Sequence, residues 1–345
     1  MREREFNHMN NKVLIIAEAG VNYNGSVKIA KEMVKAAADA GADIVKFQTG
    51  IAEKGISIYA EKADYQKKNT NDEEGEESQI DMARKLNLPF EDYPELIECC
   101  KENSIRFLST SFDIDSAIFL RNLGQRMWKI PSGEIISLPL LRHIGKYGEP
   151  VILSTGMSTM EEVRTAYNIL KENGADDITL LHCNTQYPTP YEDANIRAML
   201  TLRDEFGCKV GYSDHTLGIE ASVAAVALGA TVIEKHFTLD RNMEGPDQVA
   251  SMEPDELKSL VQAIRHVEVA LGDGVKKPTK SEIENMNIAR RSIVAAREIK
   301  KGEVFTEDNI GYKRPGDGMS PMMWDSIIGS KAIKDFAYDE QIVLD

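Results

Sequence analysis

The sequence predicts an α/β chain, a (β/α)8 barrel followed by a small C-terminal β-rich domain. Three observations carry that expectation. Eight short apolar, β-rich runs alternate with helical patterns along residues 13–272; polar or ionisable residues end nearly every run; and the pattern changes character after Gly272. Strands covered on both faces read as continuous apolar runs, as they do in a closed parallel barrel. A doubly wound sheet is the rival, but it usually places a Gly-rich phosphate turn after its first strand. Here that turn reads EAGVNYNGS and lacks GxGxxG.

The first run, VLIIAEAG (13–20), carries Glu18 and leads into VKIAKEMVKAAADA, a helical pattern closed by Gly41 as C-cap. DIVKFQT (43–49) carries Lys46 and Gln48. The connection that follows, 50–90, contains KADYQKKNTNDEEGEESQ, and such a length points to a functional lid or to disorder. Its acidic run 72–77 reads as a solvated tip. IRFLSTSF (105–112) carries Thr110, and MWKIPSGE (127–134) carries Ser132 and Glu134. PVILSTG (150–156), with Ser154, precedes STMEEVRTAYNILKENG, a helix opened by a Ser/Thr cap and closed at Gly174. ITLLHCN (178–184) ends in Asn184, KVGYSDH (209–215) in Ser213 and His215, and TVIEKHF (231–237) contains His236. The last helix of this part, EPDELKSLVQAIRHVEVALG, has Pro254 near its first turn and stops at Gly272.

Residues 273–286 are polar and weakly patterned, a linker with room for one helical turn. From 287 to 345, strand-like pieces such as RRSIVAAREI and QIVLD are separated by turn segments. The expected organisation is therefore a catalytic barrel over 1–272, a linker over 273–286 and a β module over 287–345. A module of that size is close to the lower limit for independent stability.

Composition narrows the function classes. In 345 residues, 41 Lys and Arg stand against 56 Asp and Glu, a formal net charge of −15. That argues against nucleic-acid or anionic-membrane partners, which need a basic face. An anionic small substrate remains compatible if a local cluster of Lys and Arg overrides the global field. The longest uncharged stretch, 221–233, is 13 residues, short of a membrane span. The leading MREREFNHMNNK has no signal-peptide pattern. Four cysteines without a CxxC pair indicate neither a disulfide framework nor a zinc knuckle. The expected location is the cytoplasm.

In a barrel of this kind the chemistry sits at the C-terminal strand ends. Side chains alternate along a strand, so Lys46 and Gln48 share one face, as do Ser132 with Glu134 and Ser213 with His215. His215 and His236 end neighbouring runs, and two neutral imidazoles could bind a divalent metal. Two nitrogens alone leave an incomplete site, which suits Mn2+ or Mg2+ completed by water and substrate oxygens better than structural zinc. Two unrelated, locally satisfied histidines are the bland alternative. Lys46 inside a barrel needs an anion or a carboxylate, with Glu18 on the adjacent strand as the structural partner. Lys129 has the parity opposite to Ser132 unless Pro131 and Gly133 bulge the strand. Glu234 shares parity with His236 and could act on a proton or pair with Lys46 or Lys129. His182 reads as a core histidine, and His8, His143 and His266 as surface or packing residues.

These segments resemble the N-acetylneuraminate (sialic acid) synthase family over essentially the whole chain. The matching pieces are AEAGVNYNGS, VKFQT, STSFD, WKIPSGE, ILSTGM, LHCNTQYPTPYED, GYSDHT, EKHFTLD, GPDQ with ASMEPDEL, and IKKGEVFTEDNIGYKRPG in the tail. The KADYQKKNT segment resembles bacterial enzymes making N-acetylneuraminate itself. The resemblance implies condensation of phosphoenolpyruvate with open-chain N-acetylmannosamine to give N-acetylneuraminate and phosphate. It implies that His215 and His236 hold Mn2+ or Mg2+, and that Lys46, Thr110, Lys129, Ser132, Asn184 and Ser213 hold phosphoenolpyruvate. Ser154 ends its run beside these as a further substrate-binding candidate. Glu18, Gln48, Tyr187 and Asp247 match positions near the sugar, and Glu134 is the candidate for managing a water proton, with Glu18 and Lys46 beside it as catalytic candidates. The tail resembles an antifreeze-like (SAF) module, whose Arg314 reaches the sugar's N-acetyl end in the partner subunit's site of a domain-swapped homodimer. The alternatives are a sister synthase making legionaminate or pseudaminate from a 2,4-diacetamido-6-deoxy sugar, and a non-enzymatic ice-binding module. A tail this rich in charge lacks the flat, weakly charged face of an ice binder.

Overall fold

Eight parallel strands pair in the order β3-β2-β1-β8-β7-β6-β5-β4. They are β1 (Leu14–Gly20), β2 (Ile44–Thr49), β3 (Arg106–Ser111), β4 (Trp128–Ile130), β5 (Val151–Ser154), β6 (Ile178–Cys183), β7 (Lys209–Asp214) and β8 (Val232–His236). The first strand pairs with the last, Ile16 opposite Glu234 and Glu18 opposite His236, and β3 and β4 flank the remaining seam. This is the (β/α)8 barrel expected from the alternating runs. The computed structural model describes residues 12–70, 72 and 75–344, and the chain divides into two compact units, Met1–Gly272 and Asp273–Asp345.

Strand periodicity sorts the barrel's side chains into two sets. One set (Ile16, Ile44, Leu108, Ile152, Leu181, Val232) fills the interior as a separate apolar cluster. The alternate residues, among them Val45, Phe47, Trp128, Tyr212 and Ile233, pack outward against the helices. Each such buried side chain contributes roughly 1.5–3 kcal/mol. The interior apolar layer plugs the barrel below its C-terminal mouth, so the next inward position on each strand opens into the site.

The helices begin and end where local chemistry requires. Val27–Ala40 is capped by Ser26, which accepts from Ile29 N, and stops at Gly41 in the left-handed region at φ 85°. Thr159 and Glu162 form a capping box for Met160–Glu172, and Pro254 opens the helix Pro254–Ala270. β4 is shorter than its sequence run. Pro131 ends it, and Ser132–Glu134 form a 3-10 turn instead of continuing the strand.

The long connection after β2 folds into three short helices, Ala52–Gly55, Asp64–Asn69 and Gln79–Leu86. Asn69 Nδ2 donates to Pro246 O at 2.7 Å and ties this cover to the segment after β8. The acidic run is not simply a solvated tip: Asp72 and Glu77 both pair with the buried Lys62. Among the described residues no helix is long and apolar enough to cross a membrane.

In the second unit, Lys280–Ala289 is a ten-residue helix with a Thr279/Glu282 capping box, where the sequence suggested linker with a single turn. The cap organises a segment that has no buried face to give it periodicity. Strands β9 (Ser292–Ala295) and β10 (Ile310–Lys313) pair antiparallel over a small core that includes Ile293, Phe305, Ile327 and Phe336.

Candidate active site

One cavity of about 510 Å³ opens at the C-terminal mouth of the barrel. At its base sit four charges, Glu18, Lys46, Lys129 and Glu234, none more than 4% exposed. Glu18 and Lys46 occupy paired positions on β1 and β2, and Lys46 Nζ lies 2.7 Å from Glu18 Oε2 and 3.6 Å from Glu234 Oε2. Lys129 Nζ lies 3.1 Å from Glu234 Oε1. Thr110 Oγ1 accepts from Lys46 at 2.9 Å, and Ser213 Oγ donates to Glu234 Oε1 at 2.9 Å. Gln48 Nε2 donates to Glu18 Oε1 at 3.2 Å.

Burial opposes every one of these charges, and the neighbours decide the outcome. Burial would raise Glu234, but Lys129 and Lys46 outweigh it and hold this carboxyl well below its usual range. Glu18 is raised, since burial outweighs its attraction to Lys46. Burial works against the Lys46 ammonium, yet Glu18 and Glu234 prevail and raise its pKa. Lys129, with burial dominating over Glu234, is lowered.

Above this base the His215 and His236 rings stand 5.3 Å apart. His215 Nδ1–H donates to Asn184 O at 2.5 Å, which fixes the tautomer and leaves Nε2 as a lone-pair donor. His236 Nδ1 is buried without a hydrogen-bond partner among the described residues, 3.9 Å from Asp247 Oδ2. Burial drops the His215 pKa to about 4 and holds His236 well below its ordinary value, so both rings are neutral near pH 7. Among the described residues no group of three or more His, Cys, Asp or Glu side chains is arranged for a metal ion. Two neutral imidazoles with an unsatisfied nitrogen do fit a divalent ion whose other positions are filled by oxygens from outside the protein. Burial and the Glu18 charge push Asp247 up to about 7.

Most residues expected from the sequence meet here. Glu18, Lys46, Gln48, Thr110, Lys129, Ser132, Glu134, Ser154, Tyr187, Ser213, His215, His236 and Asp247 all line the cavity. The routes differ from expectation in three cases. Lys129 faces inward without a bulge, because Pro131 ends β4 and the parity count to Ser132 does not apply. Ser132 and Glu134 reach the cavity from the 3-10 turn rather than from a strand face, and the Glu134 carboxylate accepts from Ser137 Oγ. Asn184 does not line the cavity: its side chain accepts from Gln186 N at 2.7 Å, and its backbone carbonyl holds His215. Cys183 takes the inward position on β6. His182 faces outward, with Nε2 3.0 Å from Ala194 O. Arg314 belongs to the second unit, where it follows β10 and is exposed. His8 lies outside the described residues.

Close packing positions the wall beside Ser132. Gly156 N donates to Ser132 Oγ at 2.9 Å, and a Cβ at Gly156 would fall 2.8 Å from both Ser132 Oγ and Thr185 Cγ2. Sequence reasoning gave Glu234 a minor part, although the structure puts it at the hub of both lysines. It missed Tyr65, which stacks on Tyr187 at 5.3 Å from the helix Asp64–Asn69. No strand-end pattern marks a residue delivered by a long connection.

A family model described as the NeuB family matches residues 33–276, and one described as a SAF domain matches residues 290–345. The chain is 52% identical to N,N'-diacetyllegionaminic acid synthase of Campylobacter jejuni, over 96% of this chain and 99% of that one. It is 46% identical to the protein of the same name from Legionella pneumophila, over 92% and 89%. The crystal structure of N-acetylneuraminic acid (sialic acid) synthetase from Leptospira borgpetersenii superposes with a TM-score of 0.69 at 35% identity, covering 80% of this chain and 90% of that one. Fold, site and relatives together define a sugar-acid synthase built as a (β/α)8 barrel with an appended SAF domain. The chain belongs to the NeuB family.

These relatives correct the expected product. The 52% and 46% identities to proteins named for N,N'-diacetyllegionaminic acid favour the sister-synthase reading over N-acetylneuraminate. The KADYQKKNT segment, likened to N-acetylneuraminate enzymes, contains the helix Asp64–Asn69 and lines the cavity with Ala63, Tyr65 and Gln66.

Proposed function

We propose that this protein is an N,N'-diacetyllegionaminic acid synthase. It joins phosphoenolpyruvate to the open-chain aldehyde of a 2,4-diacetamido-6-deoxy sugar and releases phosphate. The observation that carries this reading is the balanced base of two buried lysines and two carboxylates beneath a pair of neutral imidazoles, in a chain 52% identical to a protein of that name.

In this proposal Lys46 and Lys129 supply the positive charge for the phosphoenolpyruvate anion, which their low-dielectric setting strengthens. Thr110, Ser132, Ser154 and Ser213 give hydroxyls around it, and Ser154 Oγ is buried without a partner among the described residues. Gln48, Glu18, Tyr187 and Asp247 orient the acceptor within the same cavity. The reaction forms a bond between C3 of phosphoenolpyruvate and the aldehyde carbon. The C2–C3 π pair makes that bond while the aldehyde oxygen takes up a proton. Water then adds at C2, and the C2–O bond to phosphate breaks as the remaining C2 hydroxyl becomes the ketone, its proton leaving with phosphate. Glu134, which lines the cavity, takes the water's proton. His215 and His236 would hold Mn2+ or Mg2+, which when bound polarises the aldehyde oxygen. Arg314's role toward the acceptor and the homodimer belong to the same proposal and rest on the two-part family organisation.

The test is phosphate release from phosphoenolpyruvate with Mn2+, comparing the 2,4-diacetamido-6-deoxy acceptor with N-acetylmannosamine, each repeated with EDTA. Faster, EDTA-sensitive release with the diacetamido sugar is expected. Equal or better release with N-acetylmannosamine overturns the product assignment.

A further inference from the structure

Most of the cavity is built by strand ends, but one lobe is built by the connection between β2 and β3. The connection lines it with the apolar Ala52, Ile56, Met82, Ala83 and Leu86, and Phe112, which follows β3, also lines the cavity. Gln79, the first residue of the helix Gln79–Leu86, enters this lobe. Its Oε1 is buried and has no hydrogen-bond partner among the described residues. Among the described residues, Ser154 Oγ and His236 Nδ1 also lack a hydrogen-bond partner in the cavity, but both sit on barrel strands. Gln66, which lines the same cavity, has its own Oε1 committed to Ala63 N at 3.0 Å and so offers donors.

A buried carbonyl without a donor is unfavourable unless a ligand brings an N–H or O–H to it. The apolar walls set a second condition, since they favour methyl groups over hydroxyls. An acetamido group meets both, with an N–H for the acceptor, a methyl for the wall and a carbonyl for a nearby donor. A deoxy carbon adds a methyl where a hydroxymethyl would be desolvated against Met82 and Leu86.

We propose that this lobe is the specificity pocket of the acceptor, and that Gln79 Oε1 accepts the N–H of the acetamido group farther from the aldehyde while the apolar wall takes the deoxy carbon. The inference rests on the proposed function and names the residue that separates this acceptor from a mono-acetamido sugar. Recognition of this kind discriminates strongly against a sugar with no donor at that carbon, which leaves the buried carbonyl unpaired.

The experiment measures kcat/KM in the phosphate-release assay for the 2,4-diacetamido-6-deoxy acceptor and for its analogue bearing hydrogen in place of the 4-acetamido group, which has no donor there. In Gln79→Leu the ratio of the two should shrink roughly 10- to 100-fold, mainly through KM of the diacetamido sugar. Gln79→Glu keeps an acceptor oxygen and should keep the ratio within about fivefold of wild type. An unchanged ratio in Gln79→Leu, or equal losses for both sugars, overturns the role of Gln79 while leaving the proposed function intact. Absence of turnover of the diacetamido sugar by the wild-type enzyme overturns both.

Discussion

Lys46 and Glu18 face each other from adjacent strands, 2.7 Å apart at the floor of the cavity. Removing one member of a buried pair leaves the other uncompensated, a loss of about 3–5 kcal/mol. Lys46→Met should therefore lower the melting temperature and cut kcat/KM for phosphoenolpyruvate at least about 100-fold. Thermal unfolding and steady-state kinetics on the same preparation check it, and wild-type affinity for phosphoenolpyruvate would remove Lys46 from the anion site.

The two imidazoles can be tested without turnover. Calorimetric titration of Mn2+ into the wild type should give one site, and His215→Ala or His236→Ala should weaken it by at least about 10- to 100-fold. Binding that survives both substitutions places the metal elsewhere.

Glu134 is half-buried in the 3-10 turn after β4 and lines the cavity. Glu134→Gln should reduce kcat by about two to four orders of magnitude with Mn2+ affinity unchanged. Turnover at the wild-type rate would transfer the role to another group.

Tyr65 brings the cover onto the site through its stack with Tyr187. Such aromatic pairs are worth about 0.5–1.5 kcal/mol. Tyr65→Ala should raise the KM of the sugar by roughly tenfold and leave that of phosphoenolpyruvate nearly unmoved. A shift in both, or in neither, counts against the cover's contact with the sugar.

Asp43 supplies a pH-dependent brace for the barrel. Its carboxylate meets Lys12 at 2.6 Å, Ile15 N at 2.9 Å and Arg265 at 2.6 Å. Burial opposes the charge, but these partners outweigh it and lower its pKa below the ordinary 3.8. A depressed folded-state pKa means that the stabilisation is present above the unfolded value and is lost as pH falls through the folded one. Asp43→Asn should cost about 1–3 kcal/mol at pH 7, and the gap to wild type should close as pH drops below about 4. A gap independent of pH, measured by chemical denaturation, would show that the charge is not the source.

The barrel was legible because its signals are local. Apolar runs, caps and Gly stops specify strands and helices through nearest-neighbour sterics and hydrogen bonds. Side-chain alternation then placed Lys46 with Gln48 and Ser213 with His215 on inward faces, and the cavity contains all four. Where that alternation was interrupted, it misled. Pro131 converts the end of the fourth run into a turn, so Ser132 and Glu134 arrive by a different path, and the site uses the carbonyl of Asn184 rather than its amide.

Residue types and their strand-end positions were enough to indicate a barrel with an anion-binding, imidazole-bearing mouth. They could not rank Glu234, whose importance comes from two lysines delivered by strands far apart in the chain. They could not place Tyr65 or Gln79, because a long connection has no periodicity relating its residues to the strands it covers. Periodicity is a property of neighbouring residues, whereas burial, ion pairing and the shape of the acceptor pocket are set by segments that meet only when the barrel closes.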